Sequence, residues 1–390
     1  MTSSVETRRI NLALQGGGSH GAFTWGVLQA VLEDERVEIE GISGTSAGAM
    51  NAVVLASAIG QHNSRGAGSY CAKAREAAIE ALAQFWRSIS AYSSLNPVKR
   101  APMDTLFGLW GVQDNPAQFW AETFAKTFSP YQFNPLDINP VRELLKQHVD
   151  FDALATPLAP KVFVAATRVR TGKAEIFSGK RLCPEAVAAS ACLPMLFQAV
   201  EVEDDWFWDG GFAGNPALHP LIYECKSADI VLVQINPVIR EDLPTNSRDI
   251  LDRMNEITFN ASLLAEMRAI DFVARLLKDG KLDPARYKHV LMHRIGGDEL
   301  AKYGAASKLA TDSGFITELH ALGLESGRDW LKRNFEALGD HGTVNIARDY
   351  LDDLRIPLRS SSSAGRTNGG SNGGNSGGGK DGRAHPEKKR

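Results

Sequence analysis

The chain has 390 residues, 43% hydrophobic and 23% charged, with a formal net charge of −3. That balance belongs to a globular protein with a sizeable core, and it excludes nucleic-acid binding by bulk charge. Met1 to Arg9 is polar, and no apolar run reaches the roughly 18 residues of a membrane span, so neither a secretory leader nor an anchor is expected.

Cys71, Cys183, Cys192 and Cys225 are scattered without paired metal-ligand spacing. They read as reduced thiols of a cytosolic compartment, and no metal or cofactor is expected. Ile10 to Leu14 is a buried strand running into Gln15-Gly16-Gly17-Gly18-Ser19-His20-Gly21, and an apolar helix follows from Ala22. A strand, a glycine-rich turn and a helix in succession aim backbone N–H groups at an anion. Two chemistries use that arrangement. Gly16-x-Gly18-x-x-Gly21 matches a dinucleotide fingerprint, with Glu38 or Glu40 as the ribose carboxylate. The same amides of Gly16, Gly17 and Gly18 can instead form an oxyanion hole for acyl transfer.

The next strand, Val37 to Ile42, enters Gly44-Thr45-Ser46-Ala47-Gly48, and an Ala- and Val-rich helix leaves it. Gly-x-Ser-x-Gly between a strand and a helix has the spacing of a nucleophile elbow, with Ser46 at a helix N-terminus. A dinucleotide site has no use for that second motif, whereas acyl transfer needs a nucleophile and an oxyanion hole at adjacent strand ends.

Gln61 to Arg75 reads as a polar loop, and Ala72 to Ile89 as an amphipathic helix. From 93 to 140, aromatics and leucines alternate with prolines. That stretch is either an irregular excursion packed on the core or a cap supplying an acyl-chain pocket. Val141 to His148 is a short helix. Val162 to Thr167 is a strand, and Gly172 turns it into Ala174 to Phe177. The small residues of Pro184 to Cys192 form a helix in close backbone contact with a neighbour near the site.

Asp209 lies in Trp206-Phe207-Trp208-Asp209-Gly210-Gly211. An isolated Asp-Gly-Gly is most simply a hairpin turn. Its aromatic neighbours would desolvate the carboxylate, which raises its pKa and makes it a better proton acceptor.

Gly16-Gly17-Gly18-Ser19-His20-Gly21, Gly44-Thr45-Ser46-Ala47-Gly48 and Asp209-Gly210-Gly211, in that order, resemble the patatin-like phospholipase family. The resemblance covers about Ile10 to Pro237. It implies a Ser46–Asp209 catalytic dyad, a modified α/β-hydrolase-like layered fold and phospholipase A or lysophospholipase chemistry. The family usually has Arg or Lys where this chain has His20. A Ser–His–Asp triad drawing on His219, His289 or His293 stays open, although Ser46 comes very early for an ordinary α/β-hydrolase. A catalytically silent lipid binder is a further reading, and the intact Ser46 and Asp209 argue against it.

Beyond the motifs, Asp229 to Ile235 is a buried strand, Asp249 to Lys278 a helix or helix pair, and Val290 to Arg294 a last strand. Ser307 to Leu338 is helical with an expected break at Gly323. From Arg359 onward there is no aromatic or large aliphatic residue, and seven basic residues face two acidic ones. That tail reads as a disordered, solvated terminus.

The expected fold is therefore a three-layer α/β/α sandwich with a mainly parallel central sheet. A polar leader (1–9) precedes a catalytic domain (10–240). A mostly helical part (241–358) packs on that domain, and the tail (359–390) follows. The expected protein is a cytoplasmic lipid acyl hydrolase that can work at a membrane surface, with a lipid ester as substrate and no nucleic-acid partner.

Overall fold

The structure, a computed structural model, describes residues 7–65, 69–93, 129–137, 139–296, 300, 303, 307 and 312–351. Most of the expected leader and cap, and all of the expected tail, lie outside the described residues. The strands are β1 (Arg8–Leu14), β2 (Val37–Gly44), β3 (Lys161–Arg168), β4 (Ala174–Ser178), β5 (Val200–Val202), β6 (Asp205–Asp209), β7 (Asp229–Gln234) and β8 (Leu291–Gly296). They form one sheet in the order β5-β6-β3-β2-β1-β7-β8, with β4 paired to β3.

The sheet is mainly parallel. β3, β2, β1, β7 and β8 run the same way. β4, β5 and β6 pair antiparallel at one side. Every residue of β7 is buried, as in a strand covered on both faces.

Alternation along the strands divides the core into two layers. Leu12, Leu14, Val231 and Val233 pack with α1 (Gly21–Glu33), α2 (Ala47–His62) and α3 (Ala72–Ser93). Ala13, Ile230 and Leu232 point the other way, onto Leu263, Met267 and Ile270 of the long helix Ser247–Lys278. Successive side chains of a strand face opposite sides, so two separate clusters mean helices on both faces. Met1–Asp352 is one compact unit.

Ser247–Lys278 is one continuous helix, the first of the two alternatives the sequence left open. One sequence expectation changes: Ser313–Asn334 runs through Gly323 without a break. The reason lies in packing against α1. A Cβ on Gly323 would sit 2.0 Å from the carbonyl oxygen of Phe23, and one on Gly26 would sit 2.1 Å from that of His320. The glycines allow backbone to lie on backbone, a cause that sequence periodicity does not separate from helix termination.

One feature of the sheet places the site. β4 pairs along Phe163–Thr167 of β3. β2 pairs with β3 up to Val164, and β6 from Ala166. Since β4 holds one edge throughout, β2 and β6 share the other and meet there head to head. Their C-terminal ends, Gly44 and Asp209, converge on Ala165.

Gly323→Ala tests the backbone contact. Helix propensity alone would stabilise the variant by up to about 1 kcal/mol. The overlap with a fixed carbonyl costs about 1–3 kcal/mol or more, so the clash wins. The expected outcome is a lower urea midpoint at unchanged m-value; a higher midpoint would refute backbone-on-backbone packing.

Candidate active site

Ser46 occupies the turn from β2 to α2 with φ 53° and ψ −122°. Non-glycine residues rarely adopt that conformation, which persists only where the surroundings hold it. Here they do. An added Cβ on Gly48 would lie 2.3 Å from the Leu14 carbonyl oxygen, so only glycine lets the turn close against β1. The Ser46 N–H donates to Ser190 Oγ at 2.9 Å. Ser190 in turn donates to the Ala165 carbonyl at 2.6 Å, filling the gap between β2 and β6. Ser46 is the N-cap of α2, so the hydroxyl stands at the positive end of a helix.

Asp209 ends β6 and is buried, at 2% exposure. Its Oδ1 accepts the Gly211 N–H at 2.7 Å, and the Ser46 hydroxyl lies near enough to act on its carboxylate. Burial pushes the carboxyl up to about 7, against the Gly211 N–H and the Ser46 hydroxyl, which lower it. Hydroxyls hold the loop after Asp209 onto the serine turn. Thr45 Oγ1 donates to the Gly214 carbonyl at 2.6 Å, and Ser43 Oγ to that of Ala217. Thr167 Oγ1 donates to the carbonyl of Asp209 itself at 2.8 Å.

The glycine loop leaves β1 beside this pair, because Leu14 and Gly44 are in register. An added Cβ on Gly16 would meet Ser46 Cβ at 2.8 Å. Four buried amides fix the loop. Gln15 Oε1 accepts the N–H groups of Ile235 and Asn236 at 2.9 Å. Gln15 Nε2 donates to Asn260 Oδ1 at 3.2 Å, and Asn236 Nδ2 to the Gly16 carbonyl at 2.7 Å. The Gly16 N–H donates to Asn215 Oδ1 at 2.7 Å, so it is engaged within the protein. Among the described residues, the N–H groups of Gly17 and Gly18 have no protein acceptor.

Residues 12–222 match the patatin-like phospholipase family. The chain belongs to that family. A crystal structure of VipD from Legionella pneumophila is similar at 17% identity, over 87% of this chain and 72% of that one, with a TM-score of 0.35. No curated protein matches the chain.

Among the described residues, those that the dinucleotide and triad alternatives would use are engaged elsewhere or exposed. Glu38 is buried in an ion pair with Arg75 at 3.0 Å and accepts the Tyr70 N–H. Glu40 accepts the N–H groups of Lys226 and Ser227. Both stand in the first half of β2, at the far end of the strand from the glycine loop. His293 is buried mid-strand, with one ring nitrogen on Asp229 at 3.0 Å and the other on Thr343 at 3.1 Å. His289 is exposed. His219 is half-exposed, with Glu266 as its nearest carboxylate at 3.7 Å.

His20 is engaged by residues near the C-terminal helix Ser313–Asn334. Its Nε2 meets Ser307 Oγ at 2.7 Å, and its ring lies against Tyr303 and Phe315.

Sequence reading missed Ser190 and the amides of Gln15, Asn215, Asn236 and Asn260. A signal existed for some of them. Gln15 and Asn236 each stand just past a buried strand, where a buried polar residue needs a partner.

The raised pKa makes Asp209 a stability liability above neutral pH. Stability from its favoured protonated form is present below about pH 4 and is lost as pH rises to about 7. The span is worth up to roughly 4 kcal/mol. Asp209→Asn removes the loss. Its melting temperature should exceed that of the wild type by a margin that widens from pH 4 to 7 and is flat above. A margin independent of pH would show that the carboxyl titrates normally.

Proposed function

We propose that the protein is a serine acyl hydrolase of lipid esters, with Ser46 as nucleophile and Asp209 as its base. The observation that supports this reading best is the placement of a strained, helix-capping serine beside a buried carboxylate whose pKa burial raises.

Ser46 Oγ attacks the acyl carbonyl carbon while its proton passes to Asp209. The carbonyl oxygen gains the electron pair and is met by the Gly17 and Gly18 amides. Collapse of the tetrahedral intermediate breaks the ester C–O bond, and Asp209 returns the proton to the leaving alcohol. Water then repeats the sequence on the acyl-enzyme and releases the fatty acid. Of the three amides expected as donors, Gly16 takes a supporting place. Its bond to Asn215 holds the loop so that the next two amides face the reaction. Ser190 serves the nucleophile in the same way, by fixing its backbone.

The substrate class is the carboxylic ester of a phospholipid or lysophospholipid. The catalytic domain spans residues 10–240, with 241–358 packed on it. Four free cysteines suit a reducing, cytoplasmic compartment. Among the described residues, no helix is long and apolar enough to cross a membrane, so we place the enzyme at a lipid surface rather than within one.

Intact-mass analysis after a fluorophosphonate probe tests the dyad. The wild type should gain one probe mass and Ser46→Ala none. Asp209→Asn should react about a hundredfold to ten-thousandfold more slowly. The wild-type labelling rate should fall tenfold per pH unit below about 7, the value to which burial raises Asp209. Asn215→Ala should lower kcat by about tenfold or more with KM little changed, since it loosens the donors without touching the acyl chain. Labelling that survives Ser46→Ala, or that disappears when His219, His289 or His293 is replaced, would refute the dyad.

A further inference from the structure

The long helix Ser247–Lys278 has two unlike halves. Its second half lies in the core through Leu263, Met267 and Ile270. Midway, Phe259 packs edge-on against Phe212 at 5.4 Å and contacts the position of Gly211, beside Asp209. The first three turns continue beyond that point. Their inner side is tied to the loop after β7 by Arg253, which donates to the Val238 carbonyl, and by Arg240, which pairs with Glu256 at 2.6 Å.

Their outer side is apolar. Ile250, Leu251, Met254 and Ile257 follow the three- and four-residue spacing of one helix face, and each is 42% to 57% exposed. Ile239 and Leu243 in the adjoining loop are 70% and 83% exposed. Phe212, at 41%, joins this surface to the candidate site. Exposed apolar patches of this kind mark interaction surfaces.

We infer that this face docks the enzyme on a zwitterionic phospholipid surface. The proposal rests on the hydrolase reading of Ser46 and Asp209. The family acts on lipid esters, and a long-chain substrate of that class resides in an aggregate. The apolar surface that reaches the site's rim through Phe212 and Phe259 is therefore the one such an aggregate would cover. An amphipathic helix lying in an interface presents this kind of stripe.

Charge selects among lipids. Residues 239–258 carry five carboxylates against three arginines. Arg240 and Arg253 both pair with Glu256. A net acidic flank is repelled by an anionic surface, so binding depends on apolar contact and not on salt. The stripe covers only about three turns, short for a coiled-coil seam with a second copy.

The test compares the full-length wild type, Ile250→Ser/Met254→Ser/Ile257→Ser and Ser46→Ala. Sedimentation uses phosphatidylcholine vesicles with and without 30% phosphatidylserine. Activity is read on the same vesicles and on a soluble short-chain ester. All three substituted residues are exposed, so the fold should be unaffected, and hydrolysis of the soluble ester at the wild-type rate verifies this.

The expected result is phosphatidylcholine binding that the triple variant loses by about tenfold or more. Vesicle hydrolysis should fall in parallel, soluble-ester hydrolysis should not change, phosphatidylserine should not strengthen binding, and added salt should not strengthen binding to phosphatidylcholine alone. Ser46→Ala should bind vesicles like the wild type while hydrolysing neither substrate. Equal sedimentation of wild type and triple variant would overturn the proposal. So would no wild-type binding, tighter binding to phosphatidylserine, or a wild-type dimer that the triple variant converts to monomer. Stripe-dependent binding by a wild type that hydrolyses neither ester would leave the docking face standing and remove the hydrolase reading.

Discussion

The site depends on a single shared edge. β3 gives one edge wholly to β4 and divides the other between β2 and β6, which arrive from opposite directions. Two strand ends that would normally lie at opposite sides of a sheet are thereby brought face to face. One leads into Ser46 and the other ends in Asp209. Because the ends are fixed by ladder hydrogen bonds, the pair is held by the most rigid part of the fold. Ala165 is the residue between the two ladders, and its carbonyl is taken up by Ser190, which also holds the Ser46 amide. A buried serine thus continues the sheet where the strands cannot.

The arrangement opposes stability at two points. Ser46 has a disfavoured backbone conformation, worth about 1–3 kcal/mol in general, and Asp209 is a carboxyl buried without a cation. Both are surrounded by interactions that leave them no alternative. Ser43, Thr45 and Thr167 spend their hydroxyls on carbonyls of the Asp209–Ala217 loop or of Asp209 itself. Four side-chain amides hold the glycine loop and the segments beside it, with Asn215 Nδ2 left buried and without a partner among the described residues. A buried polar network rigidifies when its members are paired, and here most of the pairs tie segments more than 150 residues apart in the chain.

Much of this was legible in the sequence because the relevant signals are local. Strand, small-residue turn and helix repeat twice before residue 60, so the parallel β1–β2 pair and the adjacency of the glycine loop to Ser46 follow from short-range patterns. β7 announced itself as an unbroken apolar run. The convergence of β2 and β6 was not legible, since it depends on β4 occupying the opposite edge of β3, and no local pattern encodes which edge a hairpin takes. Gly323 misled for a related reason. A glycine that ends a helix and one that admits a neighbouring backbone look alike until the neighbour is known. Asn215 was passed over because its partner, Gly16, lies 199 residues away.

Among the described residues no basic side chain acts on Asp209, and this has a physical sense. The glycine motif of the family usually carries Arg or Lys where this chain has His20, and His20 is directed to Ser307, Tyr303 and Phe315. A guanidinium or ammonium close to Asp209 would favour its ionised form and draw its pKa down, leaving a weaker base. Among the described residues burial acts on it with no charged side chain opposing, and only the Gly211 N–H and the Ser46 hydroxyl lower it. The positive potential that an oxyanion requires must then come from groups that scarcely perturb a carboxylate. Backbone dipoles meet that condition. On the proposed reading, the amides of Gly17 and Gly18 and the N-terminus of α2 face a developing negative charge on the substrate while burial keeps the Asp209 carboxyl raised. A site built from peptide groups in place of cations can stabilise an anion without weakening the group that creates it.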